Sequence, residues 1–141
     1  VYAADRGGDV TFHGPGQVVL YPCMDLGAGF KDLHAYLRAL EQVVIYALRD
    51  AFGLNAYARQ NMTGVWVGPY KVSSIGIGVR RWVAYHGLSL NVSVDKKYFS
   101  YLNSCGLGAP MASIADLLKE RIVCKDIRDL LLEHFKDVFS F

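Results

Sequence analysis

The sequence predicts an α+β fold, two main helices packed on a mixed β-sheet, and three observations predict it. Two segments, Asp32 to Phe52 and Asp126 to Phe139, carry apolar residues at three- and four-residue steps, the spacing of one helical face. Between the first helix and the second, the chain runs through short apolar stretches bounded by Gly and Pro, which read as strands. The 141 residues, 52% of them hydrophobic, make one domain over residues 1–141 with ample core.

The elements follow in order. Val1-Tyr2-Ala3-Ala4 reads as a strand already under way. Gln17 to Leu26 is apolar and β-branched enough for a strand, and Gly27 and Gly29 mark a loop after it. In the first helix Leu33, Tyr36, Leu37, Leu40, Val43, Val44, Leu48, Ala51 and Phe52 form one stripe; Asp32 can cap its start and Gly53 can close its end. Asn55 to Arg59 and Gly64 to Val67 are short strands, the latter ended by Gly68-Pro69. Lys71 to Val79 and Trp82 to Val94 are long strands joined by a tight turn near Arg80-Arg81. Tyr98 to Leu102 suits one helical turn, and Asn103 to Pro110 is a loop. The second helix aligns Ile127, Leu130, Leu131, Phe135, Val138 and Phe139.

Composition narrows the function classes. A net charge of +2 does not announce a nucleic-acid binder, and no apolar run reaches the length of a membrane span. Cys23, Cys105 and Cys124 have neither the number nor the spacing of a disulfide framework or a zinc site, which favours a reducing compartment and no metal. Cys23 and Cys124, among apolar neighbours, read as small buried hydrophobes. Cys105 lies in a loop between Ser104 and Gly106, and the residues alone leave it open between that role and a nucleophile.

The densest signal is Asp5-Arg6-Gly7-Gly8-Asp9-Val10-Thr11-Phe12-His13-Gly14-Pro15-Gly16-Gln17. Glycine gives up the most backbone freedom on folding, so a segment this rich in it brings backbone close to a ligand or makes special turns. It lacks the Gly-Lys-Ser/Thr ending of a phosphate-binding P-loop. His13 and His86 each precede a glycine, whereas His34 and His134 lie on helices and read as surface residues. After Lys71, Ser74, Gly76 and Gly78 alternate with Ile75, Ile77 and Val79, so one strand face is bulky and the other nearly bare. Two explanations fit the bare face: a helix packed tightly on it or a bulge, or a groove for an aliphatic chain. A chain in such a groove would gain about 0.8 kcal/mol per buried CH₂. Arg59, Arg80, Arg81, Lys96 and Lys97 are scattered cations that, if clustered, would suit an acidic protein partner.

The glycine segment, together with Gly64-Val65-Trp66-Val67, Lys71-Val72-Ser73-Ser74-Ile75-Gly76-Ile77, Tyr85-His86-Gly87-Leu88-Ser89-Leu90-Asn91-Val92 and Ser104-Cys105-Gly106, resembles the lipoyl(octanoyl) transferases in order and spacing, from about Val1 to Ser113. The resemblance implies the catalytic fold of the biotin and lipoate protein ligases. It also implies a cofactor-free, monomeric acyltransferase that moves an octanoyl group from acyl carrier protein to a lysine of a lipoyl domain. Such domains belong to 2-oxoacid dehydrogenase complexes and to the glycine cleavage H protein. The compartment would be bacterial cytoplasm or a mitochondrial or plastid matrix. By the resemblance Cys105 is the nucleophile and Lys71 faces it. A cation beside a thiol favours the thiolate, and a desolvated lysine can move protons near neutral pH. Arg6, Gly7, Gly8, His13, Gly14, Ser74, Ile75, Gly76, His86, Gly87 and Asn91 then shape the site. Two other readings stand beside it: an ATP-dependent lipoate or biotin ligase of the same fold, and a non-catalytic module that binds a carrier or lipoyl domain.

The chain departs from the family pattern at Ser104, where proline is usual, at Gly78, where arginine is common, and at Asp9, where glutamine or glutamate is usual. Compared with the family, the N-terminal portion is missing, and with it more strands and part of the acyl pocket.

Overall fold

The computed structural model describes residues 5–7, 11–27, 32–95, 97–100 and 110–140. The predicted first strand at Val1–Ala4 and most of the loop from Asn103 lie outside the described residues, as do Gly8, Lys96 and Cys105. The elements run β1 Gln17–Leu20, β2 Met24–Asp25, α1 Leu33–Phe52, β3 Ala56–Arg59, β4 Met62–Val67, β5 Tyr70–Arg80, β6 Val83–Asn91, α2 Lys97–Ser100, α3 Ile114–Leu118 and α4 Lys125–Phe139. The sheet order is β1-β6-β5-β4-β3, with β2 also paired to β6. The ladders among these strands are antiparallel; one parallel bridge joins Lys71 to Met111 and gives the sheet its mixed character.

Both helix caps form as the residue types demand. The Asp32 carboxylate accepts the His34 and Ala35 N–H groups, and Gly53 closes α1 in the left-handed conformation at φ 64°. The stripe of α1 (Tyr36, Leu40, Val43, Val44, Ala47, Leu48) packs against Ile127, Leu131 and Phe139 of α4 and against one face of the sheet. The predicted strand from Gln17 splits at Pro22 into β1 and β2. The five-residue helix α3, which is too short to show a periodicity, has no sequence signal. It is tied to the end of β6 by the Ala115 N–H donating to the Val92 carbonyl at 2.9 Å and by Ser113 Oγ donating to the Val94 carbonyl at 3.0 Å.

Two readings of single side chains are corrected here. Cys23, expected to be buried, is exposed, because Pro22 carries the chain off the sheet between β1 and β2. His134, expected at the surface, is only 13% exposed and sits between the helices, with Nε2 3.0 Å from an Asp50 oxygen and its ring against Tyr46.

The pairing of β4 with β5 decides what each face of the sheet carries. Val65 opposes Ser73, but Trp66 opposes Lys71, so one step on β4 spans two on β5. This is a β-bulge. It lets Val72 join the core although Ile75, Ile77 and Val79, of opposite parity, pack there too. Lys71 is thereby turned to the face of Ser74, Gly76 and Gly78, away from the helices.

Burial pushes the Tyr36 phenol up to about 12. The folded state therefore holds this proton more tightly than the unfolded chain, whose phenol titrates near 10. The resulting stability is fully present below pH 10 and is lost as pH rises toward 12. Allowing for solvent screening, the loss amounts to about 1–2 kcal/mol. Urea denaturation of wild type and Tyr36→Phe between pH 9 and 11.5 should show the wild type losing that much more than the variant; parallel pH dependences would contradict it.

Candidate active site

Lys71 is 7% exposed although it is a lysine. Three neighbours create room for it. Gly64, on β4, has φ 136°, and a Cβ there would lie 2.6 Å from Lys71 Cε and 2.6 Å from the Ser73 carbonyl oxygen. Only glycine leaves that space. Trp66 is fully buried, with Lys71 Nζ 5.3 Å from its ring centroid and the Arg59 guanidinium carbon 5.0 Å from it, within cation–π range. Arg59 is therefore packed on an aromatic face rather than solvated. Glu41 of α1, 1% exposed, accepts the Gly64 N–H at 2.9 Å and forms an ion pair with Arg38 at 2.5 Å. Arg38 also donates to the Arg59 carbonyl at 3.2 Å.

The backbone of Lys71 is held on both sides. Its N–H donates to the Pro110 carbonyl at 2.9 Å, and its carbonyl accepts the Ala112 N–H at 3.2 Å. The chain returning from the Ser104-Cys105-Gly106 segment is thus fastened to the lysine's own strand.

A second cluster joins both predicted histidines. Gln17 Nε2 donates to Asn91 Oδ1 at 2.8 Å, and Gln17 Oε1 accepts the Gly14 N–H at 3.3 Å. His13 Nδ1 lies 3.3 Å from the same Gln17 oxygen, and Nε2 lies 2.8 Å from the Tyr21 hydroxyl. An amide oxygen only accepts, so a neutral His13 carries its proton on Nδ1 and accepts from Tyr21. The Tyr21 ring meets both His13 and His86 edge-on, at 5.9 Å each.

His86 lies in the middle of β6 with φ 60°, a left-handed conformation that is costly outside glycine and clusters at functional sites. Its effect is visible in Tyr85. Consecutive strand residues point to opposite faces, yet the Tyr85 and His86 rings are 5.0 Å apart and both reach Asp5. The Tyr85 hydroxyl donates to Asp5 at 2.6 Å, and this bond above all holds the Asp5 carboxyl below its ordinary range. Because that pKa is lowered, the stability from the Asp5 contacts is fully present above the ordinary carboxylate range and is lost as pH falls below it, through the lowered value.

The bare face of β5 is filled by backbone. The Gly7 N–H donates to the Ile77 carbonyl at 3.1 Å. A Cβ on Gly76 would lie 2.9 Å from the Gly7 carbonyl oxygen, and one on Gly78 would lie 2.6 Å from that of Asp5. The Asp5–Gly7 segment therefore crosses both glycines, so neither a packed helix nor an open groove occupies those positions. The Arg6 stem packs over Gly76, and its guanidinium donates to the Gly7 carbonyl at 3.0 Å. Gly87 pairs with Gly76 on the adjacent strand. Ile75 packs against the core on the helix side, so its side chain does not line this face.

The structure thus brings together Lys71, Ser74 and Gly76 on β5, Gly87 and Asn91 on β6, and Arg6, Gly7, His13, Gly14 and His86 around them. Gly8 and Cys105 lie outside the described residues. Ser73 Oγ, Trp66 Nε1 and Asn91 Nδ2 are buried with no hydrogen-bond partner among the described residues. No group of three His, Cys, Asp or Glu that could hold a metal occurs among the described residues. No described helix is long and apolar enough to cross a membrane. Sequence reasoning missed Glu41, Trp66, Tyr21, Gln17, Asp5 and Tyr85 as parts of the site. Trp66 and Gln17 stand inside the motifs themselves, but nothing in one sequence marks Glu41 or Tyr21.

Comparison with known proteins identifies the family and the fold. The family model described as the lipoyl protein ligase A/B catalytic domain matches residues 1–136. An octanoyltransferase of Solibacter usitatus is 45% identical over 99% of this chain and 63% of its own length. A chloroplastic octanoyltransferase of Arabidopsis thaliana is 43% identical over 99% of this chain and 54% of its own length. The chain therefore spans somewhat over half the length of these relatives. In fold it is similar to lipoate-protein ligase A bound with ATP, with a TM-score of 0.75 and 17% identity over 96% of this chain and 57% of that one. It is also similar to the biotin protein ligase of Aquifex aeolicus, with a TM-score of 0.71 and 13% identity over 89% and 53%.

Proposed function

Since the chain belongs to the lipoyl protein ligase A/B catalytic domain family, we propose that it carries the catalytic machinery of an octanoyltransferase, taking the acyl group from acyl carrier protein to a lysine of a lipoyl domain. The observation that supports this best is the buried Lys71, with the segment that follows Cys105 hydrogen-bonded to its backbone at Pro110 and Ala112. Cys105 is five residues before Pro110 in sequence, so the chain between them reaches at most about 18 Å. The curated relatives named octanoyltransferase, 41–45% identical, support the same reading. The ligase structures, at 13–17% identity, carry the fold alone.

The chemistry proceeds by covalent catalysis. The Cys105 thiolate attacks the carbonyl carbon of the octanoyl thioester. The tetrahedral oxyanion collapses, the carrier thiolate leaves and takes a proton, and a thioester remains on Cys105. The neutral ε-amine of the acceptor lysine then attacks that thioester, loses a proton, and forms an amide as the Cys105 thiolate departs. Lys71 delivers and removes these protons, and its charge favours the thiolate. Arg6, Gly7, Gly8, His13, Gly14, Ser74, Gly76, His86, Gly87 and Asn91 orient the donor. No cofactor is required, and the free thiols suit the reducing interior of a bacterial cell or an organelle matrix.

The test is intact mass after incubation with octanoyl carrier protein. Wild type is expected to gain one octanoyl group and Cys105→Ala none. Equal labelling of both would sink the assignment of Cys105, and octanoylation of a lipoyl domain that requires ATP would favour a ligase instead.

A further inference from the structure

The turn joining β5 to β6 is built at a conformational cost that its fold does not require. Arg81 and Trp82 both have positive φ, 51° and 64°. Two-residue hairpin turns of this kind normally recruit Asn-Gly. Here they hold a guanidinium and an indole that is 48% exposed. Beside the turn lies an open cavity of about 430 Å³ lined by Asp5, Arg80, Arg81, Val83 and Tyr85. Among the described residues neither the Arg80 nor the Arg81 side chain has a hydrogen bond or ion pair. The carboxylate of Asp5 shares their cavity but is engaged by Tyr85 and His86.

We propose that this cavity binds the phosphodiester of the acyl donor's phosphopantetheine arm. The proposal rests on the acyl-thioester reading above. Two guanidiniums and one carboxylate leave the cavity with a single net positive charge. That matches the one negative charge of a phosphodiester and opposes a polyphosphate. Arginine is suited to phosphate oxygens by its planar fork of donors. The apolar pantoyl carbons next to the phosphate match Val83, which is 37% exposed. The position also fits. Alternation from Ser74 through Gly76 and Gly78 puts Arg80 on the same face as Lys71, nine residues away along β5. At about 3.3 Å per residue the Cα separation is at most roughly 30 Å, and both long side chains shorten the gap. The donor arm would pass outside the Asp5–Gly7 segment that covers Gly76 and Gly78, with its thioester toward Lys71 and its phosphate at the turn.

Calorimetry with the full chain tests this without any acyl transfer, using pantetheine and the methyl diester of 4′-phosphopantetheine. The diester is expected to bind at least ten-fold more tightly than pantetheine, and Arg80→Gln/Arg81→Gln is expected to bind both alike while keeping the wild-type far-UV circular dichroism. Should that variant not fold, amide chemical shifts in wild type decide, because the diester must perturb residues 80–83 and pantetheine must not. Equal affinities in wild type, or an advantage that survives in the double variant, would overturn the proposal. So would displacement of the diester by an equal concentration of dimethyl phosphate or ATP, the marks of a general phosphate site and of a nucleotide site. Because neither probe is a thioester, failure of Cys105 to become acylated leaves this result standing, and the reverse holds too.

Discussion

Gly64→Ala is expected to cost about 2–4 kcal/mol of stability and to lower kcat by about a hundred-fold or more in whatever protein survives. Two terms act together. The backbone at Gly64 has φ 136°, where a side chain is strained. The added methyl also meets the Ser73 carbonyl oxygen, which is backbone and cannot rotate away, and Lys71 Cε, which can. The least costly relief is a shift of Lys71, and a displacement of about 1 Å at a catalytic group is enough for a loss of that size. Chemical denaturation and single-turnover acylation measure the two terms separately. An alanine variant with wild-type acylation would show that the position of Lys71 does not depend on Gly64.

Lys71→Met is expected to reduce acylation and transfer by about 10²–10⁴-fold, while thermal stability holds or rises. A buried ammonium pays a large desolvation cost, and an apolar side chain of similar length, packed on Trp66, escapes it. Loss of activity with gain of stability would mark the lysine as present for chemistry. Lys71→Arg keeps a cation but not an amine able to give up its proton, so it is expected to retain thiolate reactivity at Cys105 toward a thiol-alkylating reagent and to lose transfer. If Lys71→Met transfers octanoyl within ten-fold of wild type, the proton-carrying role assigned to Lys71 is wrong.

Much of this was legible in the sequence because it rests on short-range periodicity. The stripe from Leu33 to Phe52, with Asp32 before it and Gly53 after it, predicts α1 with its caps, and the alternation after Lys71 predicts two antiparallel strands. The family motifs mark Lys71, His13, His86 and Asn91 as candidates from sequence alone. What could not be read are features set by contacts distant in sequence. The bulge at Val72 depends on which β4 residue opposes it. The left-handed His86 breaks the alternation from which its direction would be inferred. Glu41 reads as one more polar residue on α1 until Gly64 is seen to donate to it, and Gly76 and Gly78 leave a packed helix, a bulge and a groove open until Asp5–Gly7 is seen across them.

The bulge has a consequence for how this segment tolerates change in length. A substitution between Lys71 and Ser73 alters one side chain, whereas a deletion there realigns the ladder. With Val72 removed, Val65–Ser73 and Trp66–Lys71 would become successive pairs of a regular ladder, so Lys71 would keep its face while the core lost the Val72 side chain. The extra residue therefore serves the core, and the direction of Lys71 is set by its pairing with Trp66. Related chains that lack the residue at Val72 should still carry the lysine opposite the tryptophan.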